Sequence, residues 1–182
     1  RKRNRRGGDR VLKFVGMLLV MGGSTGIGIS MAKELDQRIE ELRILQQLIL
    51  TLRGEIRYRH LPLSEAFLSL AEHAPAPFDG FFDHVAKELE FRKGNTAEEI
   101  WKRNLKKHLS VLHLNRQELA ALGQLGNMLG YLDVEMQVNM LDYYLEQLKI
   151  SAAQAVEAAK SRRKLYQYMG VLGGAALVIV IF

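Results

Sequence analysis

The stretch DVEMQVNMLDYYLEQLKISAAQAVEAAKSRRKLYQYMGVLGGAALVIVIF, residues 133–182, decides the fold. Val134, Val138, Leu141, Leu145, Leu148, Ala152, Ala155 and Ala159 recur at steps of three and four, which sets one apolar stripe on one face of a helix. No proline interrupts the pattern, and no glycine appears before Gly170. The stripe runs into a basic cluster of Lys160, Arg162, Arg163 and Lys164. Tyr166 and Tyr168 follow, and then the uncharged run MGVLGGAALVIVIF. Cations, then aromatic rings, then hydrocarbon is the order of a helix entering a bilayer from the cytoplasmic side. The spacing therefore predicts one helix that begins in water and ends in lipid. Residues 165–182 are its membrane segment, about 27 Å long at 1.5 Å per residue and just short of a full span.

The other end of the chain carries a second apolar stretch. Val11 to Ala32 holds a single charge, Lys13, whose stem can reach the interface. Its 22 residues give roughly 33 Å of helix, enough to span a bilayer. Gly22-x-x-x-Gly26 presents a small-residue packing face, and Gly170-x-x-x-Gly174 repeats it. These spacings predict that the two segments pack together; unchanged behaviour in a bilayer after bulky replacement of Gly22 and Gly174 would count against it. A retained anchor fits better than a cleaved signal peptide, because the run is long and lacks a clear cleavage site.

Residues 1–10 form a basic tail. The first 13 residues hold the whole net charge of +6, so from residue 14 onward acidic and basic residues balance. The body is not a basic nucleic-acid binder. The tail would hold the start of the chain in the cytoplasm, whereas the collar at 160–164 asks for a cytoplasmic residue 33 onward. Initiation at Val11, with residues 1–10 not native, reconciles the two. With no cysteine, disulfides and thiolate metal sites are excluded, which suits a reducing compartment.

Between the anchors, residues 33–164 read as helical almost throughout. Leu35, Ile39, Leu42, Leu45, Ile49, Leu52 and Ile56 form a stripe closed at His60-Leu61-Pro62. Leu63, Ala66, Phe67 and Leu70 face inward from a short helix ended by Pro75 and Pro77. Phe78, Phe81, Phe82, Val85 and Leu89 mark a third helix, with Gly94 as its C-terminal cap. Thr96 with Glu99 opens a fourth through a capping box, its apolar face holding Ile100, Trp101, Leu105, Leu109 and Leu112. Asn115 with Glu118 opens a fifth, carrying Leu119, Leu122, Leu125 and Leu129, stopped by Gly130. Asp133 caps the long helix. The expected fold is all-α: a six-helix bundle between an N-terminal and a C-terminal transmembrane helix.

Catalytic chemistry has little to stand on. Gly22-Gly23-Ser24-Thr25-Gly26-Ile27-Gly28 resembles the glycine turn of short-chain dehydrogenases, but such a turn needs a strand before it and an alternating parallel sheet around it. No histidine pair has the helical spacing that aims two imidazoles at one ion, and His84 with Glu88 reads as a surface pair. Glu98 and Glu99 favour a helix N-terminus. Neither a nucleophile–base arrangement nor a carboxylate pair is evident. The expectation is a protein that is not an enzyme, with no cofactor, metal, nucleic acid or small-molecule substrate.

Three stretches carry a family resemblance. Leu42-x-x-Leu45-x-x-Leu48-x-x-x-Leu52-x-x-Glu55-Ile56-x-Tyr58, followed by Pro62-Leu63-x-x-Ala66, is the first. Leu125-Gly126-x-x-Leu129-Gly130-x-x-Asp133-x-x-x-Gln137 is the second, and Tyr166 with Gly170, Gly173 and the aliphatic tail is the third. Together they resemble the stage III sporulation protein AB family, over residues 11–182. The resemblance implies a membrane protein of the mother cell in endospore-forming bacteria, similar to the F-type platform proteins of type II secretion and type IV pilus systems. It implies a non-enzymatic platform subunit of the mother cell-to-forespore channel, with its F-like domain in the cytoplasm. The implied partners are a secretion-type ATPase, other channel subunits and the membrane. Expected partner contacts are Arg57, Arg59 and His60, together with Gly130 and Asp133 of the loop from Leu129. A scaffold or signalling bundle acting by self-association is the alternative function.

Overall fold

The computed structural model describes the backbone at residues 5–91, 94–129 and 133–181, and side chains at 30, 33–91, 94–129, 133–162 and 164–165. Among the described residues there are six α-helices: α1 Arg5–Tyr58, α2 Leu63–His73, α3 Phe78–Phe91, α4 Ala97–His108, α5 Arg116–Leu129 and α6 Val134–Ile181. No strand occurs among the described residues, so the fold is all-α as the apolar periodicities require. The chain divides into two compact units. One is Gln37–Glu157; the other comprises Arg1–Asp36 with Ala158–Phe182.

The second unit consists of the outer ends of α1 and α6. Residues 22–28 lie inside α1, which removes the strand-to-helix setting that a dinucleotide-binding turn needs. Among the described residues, no helix is long and apolar enough to cross a membrane. The side chains of 11–29 and 166–182 lie outside the described set. The expected packing of Gly22 and Gly26 against Gly170 and Gly174 falls there too.

In the bundle unit each helix begins and ends where local chemistry dictates. α1 stops as His60 takes a positive φ of 52° ahead of Pro62, whose ring disfavours helical backbone at the preceding residue. Gly94 has φ 80°, the left-handed conformation that suits a chain leaving a helix. Thr96 and Glu99 form the capping box in full: Thr96 Oγ1 accepts from Glu99 N–H at 3.2 Å, and Glu99 Oε2 from Thr96 N–H at 3.0 Å. Asn115 and Glu118 repeat it at 2.9 and 2.7 Å. Asp133 Oδ1 accepts from Met136 N–H at 2.9 Å, satisfying one of the free donors at the start of α6.

The core collects the stripes. Leu35, Ile39, Leu42, Leu45, Ile49, Leu52 and Ile56 are all buried, as are Ala66, Phe67 and Leu70 of α2. Trp101 is the hub, with ring centroids 4.8 Å from Phe81, 5.5 Å from Phe67 and 6.4 Å from Phe82. Its indole N–H donates to Leu122 O at 2.8 Å, which satisfies the one polar atom of the cluster. The closest approach is on the α5 side. A Cβ built on Gly126 would lie 2.6 Å from Trp101 Cδ2 and nearer still to Cγ and Cδ1. Only glycine leaves room for the indole this close to α5.

Some positions differ from the periodic reading. Val134 is 45% exposed rather than inward. Arg53 of α1 pairs with Asp142 of α6 at 2.6 Å, and the two helices run antiparallel past each other. Continuing that register carries Val134 beyond Ile56, the last buried residue of α1, so α1 offers its face no apolar partner. Leu63, Leu105, Leu112 and Leu119 are half-buried, and Tyr144, which the periodicity overlooks, is core. Asn104 is also buried among the apolar side chains and donates to Ile100 O at 2.9 Å.

Candidate partner-docking surface

The Arg53–Asp142 pair fixes which residues share an end of the bundle. Five residues on, α1 reaches Tyr58; eight residues back, α6 reaches Val134. At 1.5 Å per residue both lie within about 12 Å of the pair along the axis. The α1–α2 turn and the start of α6 are therefore at one pole. The two segments singled out from sequence, Arg57–His60 and the loop ending at Asp133, come together there. Gly130 lies outside the described residues.

On the α1–α2 side, Arg57, Tyr58, Arg59 and His60 are all exposed. The Arg57 guanidinium sits over the Tyr58 ring, 5.7 Å from its centroid, a cation–π contact at the surface. Arg59 donates to Glu55 at 2.8 Å, and Ser69 Oγ donates to the other oxygen of Glu55 at 3.2 Å. Glu55 thus ties the last turn of α1 to α2. It does not pair with Tyr58, which is 73% exposed. On the α5–α6 side, Asp133 is exposed while its Oδ1 caps α6, and Gln137 Nε2 donates to Leu129 O at 2.7 Å. Met128, Val134 and Met136 add exposed apolar area to this corner. Exposed apolar groups clustered with cations are the composition of a protein contact surface.

The opposite end of the bundle is held by charge. Glu118, buried in the α5 capping box, accepts from Arg38 Nη2 at 2.6 Å and from Arg38 Nε at 3.1 Å. Glu41 receives both the backbone N–H of His113 at 2.6 Å and its Nδ1 at 2.8 Å. Arg38 and Glu118 lie 80 positions apart in sequence, which is why no local pattern announces the pair.

His84 and Glu88 do not form the expected surface pair. His84 Nδ1 donates to Gly80 O at 2.7 Å, and its ring lies tilted by 40° against that of His108, with centroids 4.5 Å apart. Glu88 takes a hydrogen bond from Arg103. Burial works against ionisation of Glu88, but Arg103, Asn104 and the charge of His84 outweigh it and hold the carboxyl below its usual range. Desolvation, the charge of His84 and that of Lys107 push His108 down, against a weaker pull from Asp79. Among the described residues no group of three side chains is placed to hold a metal ion.

Residues 13–182 match the family model of stage III sporulation protein AB. The chain belongs to this family. It is 29% identical over 171 residues to stage III sporulation protein AB of Bacillus subtilis (strain 168), covering 94% of this chain and 99% of that protein. A solved structure of stage III sporulation protein AB superposes with a TM-score of 0.62 at 29% identity, over 68% of this chain and 97% of that one. The family carries a sporulation role, and its members are named for sporulation rather than for a catalysed reaction.

Proposed function

We propose that this chain is a non-enzymatic platform subunit of the mother cell-to-forespore channel, anchored in the mother-cell membrane with its bundle in the cytoplasm. It couples a secretion-type ATPase of the same complex to the other channel subunits. The observation that carries the reading is the pole. Arg57, Arg59 and His60 share it with Met128, Val134 and Met136, a mix of cations and soft apolar side chains that suits a mobile protein partner. The chain leaves the bundle at Gln37 and Glu157. Those positions are 16 and 15 residues from the Arg53–Asp142 pair, roughly 22–24 Å down the helices and away from the pole. Both connections to the hydrophobic ends thus depart from the end that the docking surface does not occupy.

The test is binding of the purified ATPase to the full chain in nanodiscs. Wild type should capture it, and the double variant Arg57→Glu with Arg59→Glu should weaken capture at least tenfold. Failure of the folded, lipid-embedded wild type to bind would falsify direct coupling. Extraction of the native protein by carbonate washing would sink the two anchors, and protection of residues 33–164 from cytoplasmic protease would reverse the orientation.

A further inference from the structure

Exposed helix faces of the bundle commonly carry charge, as Glu40 and Arg43 do on α1 and Lys102 and Lys106 on α4. The outer face of α6 does not. Met136, Met140, Tyr143, Gln147, Ile150 and Gln154 follow one another at steps of four and three, and none of them is buried. Tyr143 is 65% and Ile150 53% exposed. This stripe is distinct from the buried one of Val138, Leu141, Leu148 and Ala155, which faces the core. It runs about 27 Å at 1.5 Å per residue, starting at the pole with Met136 and leading away from it.

The charges of this part of α6 keep to one side. Glu135, Asp142, Glu146 and Lys149 form a stripe of their own, on the flank where Asp142 meets Arg53 of α1, and Lys149 pairs with Glu146 at 3.1 Å. The other flank is α5, which carries no charged residue from Leu119 to Leu129. Steps of four and three are the 3.5-residue period by which two helices wind round each other. Met140, Gln147 and Gln154 then stand at one core position of the heptad, and Met136, Tyr143 and Ile150 at the other.

The order of these layers selects the occupant. A second α6, parallel and in register, sets every residue of the stripe against its own copy. Gln147 meets Gln147 and Gln154 meets Gln154, and each carboxamide has both the donors and the acceptor its twin requires. Tyr143 and Ile150 close apolar layers between them. No like charges oppose one another: Glu146, the carboxylate nearest the seam, faces Ser151 of the second copy, five residues on. A continuous apolar helix would bury both amides without partners, and an ionic partner would find no counter-ion on the stripe. Polar side chains at one core position are also the device that fixes register in paired helices.

We infer that the outer face of α6 pairs two copies of this chain, side by side and in register, through the stripe from Met136 to Gln154. The contact is isologous, the same patch serving both copies. Its parallel direction rests on the anchoring proposed above, because α6 continues from the stripe into the uncharged run 169–182 and two copies held in one membrane point the same way.

The chain has no cysteine, so one introduced thiol reports one position. Gln147→Cys and Gln154→Cys, each made singly in the full chain and oxidised in membranes, should both give disulfide-linked dimers, at least tenfold more than Lys149→Cys on the flank. An antiparallel pair can bring only one of the two positions to its own copy; the other then stands about 21 Å away, twice the rise over seven residues. Adding Tyr143→Glu and Ile150→Glu, both at exposed positions, should lower the linking of Gln154→Cys at least tenfold while the urea midpoint stays at the wild-type value. Linking at one glutamine position without the other overturns the parallel register. Equal linking of Lys149→Cys is the mark of random collision and overturns the seam, as does linking that persists in the glutamate variant. Release by carbonate of a protein that still links at both positions removes the anchors and supports the pairing, whereas a membrane-retained protein that links at neither removes the pairing alone.

Discussion

Replacing Gly126 by alanine adds one methyl group at the tightest point of the bundle. The new Cβ would stand 2.6 Å from Trp101 Cδ2, inside the contact distance of two carbons. The indole cannot simply retreat, because Phe67, Phe81 and Phe82 surround it and its N–H is held by Leu122 O. Overpacking of this kind costs about 1–3 kcal/mol, and dragging the indole N–H off its buried carbonyl about 1–3 kcal/mol more. Alanine returns up to about 1 kcal/mol of helix propensity. The net expectation is a loss of about 3 kcal/mol, within a range of about 1–5. With a urea slope of about 1–3 kcal/mol per molar, the midpoint should fall by about 1–3 M. Trp101 is the only tryptophan in the chain, so its fluorescence reports this site directly during urea denaturation in micelles. Gly123, one turn earlier on α5, has nothing within 4 Å of a built Cβ. Gly123→Ala should therefore leave stability unchanged or raise it by up to about 1 kcal/mol. Equal midpoints for the two alanine variants would refute the close approach of Trp101 to α5.

Glu118→Ala removes the reciprocal half of the α5 capping box and leaves Arg38 without its carboxylate; the expected loss is about 2–4 kcal/mol by the same urea assay, and a wild-type midpoint would show that the pair contributes little. His108 has a folded-state pKa below its ordinary value of about 6.5, chiefly from desolvation and then from His84. Its neutral form is the one the fold prefers, so its contribution is present above about pH 6.5 and lost as pH falls through the depressed value. Midpoints measured at pH 7.5 and pH 5.0 should differ less in His108→Gln than in wild type, and an identical difference in both proteins would contradict the shift.

Much of the bundle was legible because its signals are local. Caps such as Thr96–Glu99 and Asn115–Glu118 are spaced three residues apart, and the inward stripes of α1 and α3 need only a helical period. The contacts that went unread join distant segments. His84 meets His108 across two helices, Arg38 meets Glu118 across most of the bundle, and Tyr144 is buried because α5 lies over it. Val134 satisfied the period of α6 but sits past the end of its opposing helix. Periodicity names a face and says nothing about how far that face stays covered.

The residues that carry the family resemblance are, on this structure, largely architectural. In Leu125-Gly126-x-x-Leu129-Gly130-x-x-Asp133-x-x-x-Gln137, Leu125 and Leu129 are buried, and Gly126 admits Trp101. Asp133 caps α6, and Gln137 binds the last carbonyl of α5. The same holds for Glu55, which ties α1 to α2 through Arg59 and Ser69. A motif whose members are occupied in holding a corner presents that corner rather than reading a partner. On the proposed function, specificity belongs to side chains that stand outside these internal bonds, Arg57 and Met128, Val134 and Met136. Substitutions there should change ATPase binding while leaving stability within about 0.5 kcal/mol of wild type, whereas Asp133→Ala should lower stability by about 1 kcal/mol through loss of the cap. A pair of measurements, capture and midpoint, made on the same variants therefore separates the residues that build the pole from those that use it.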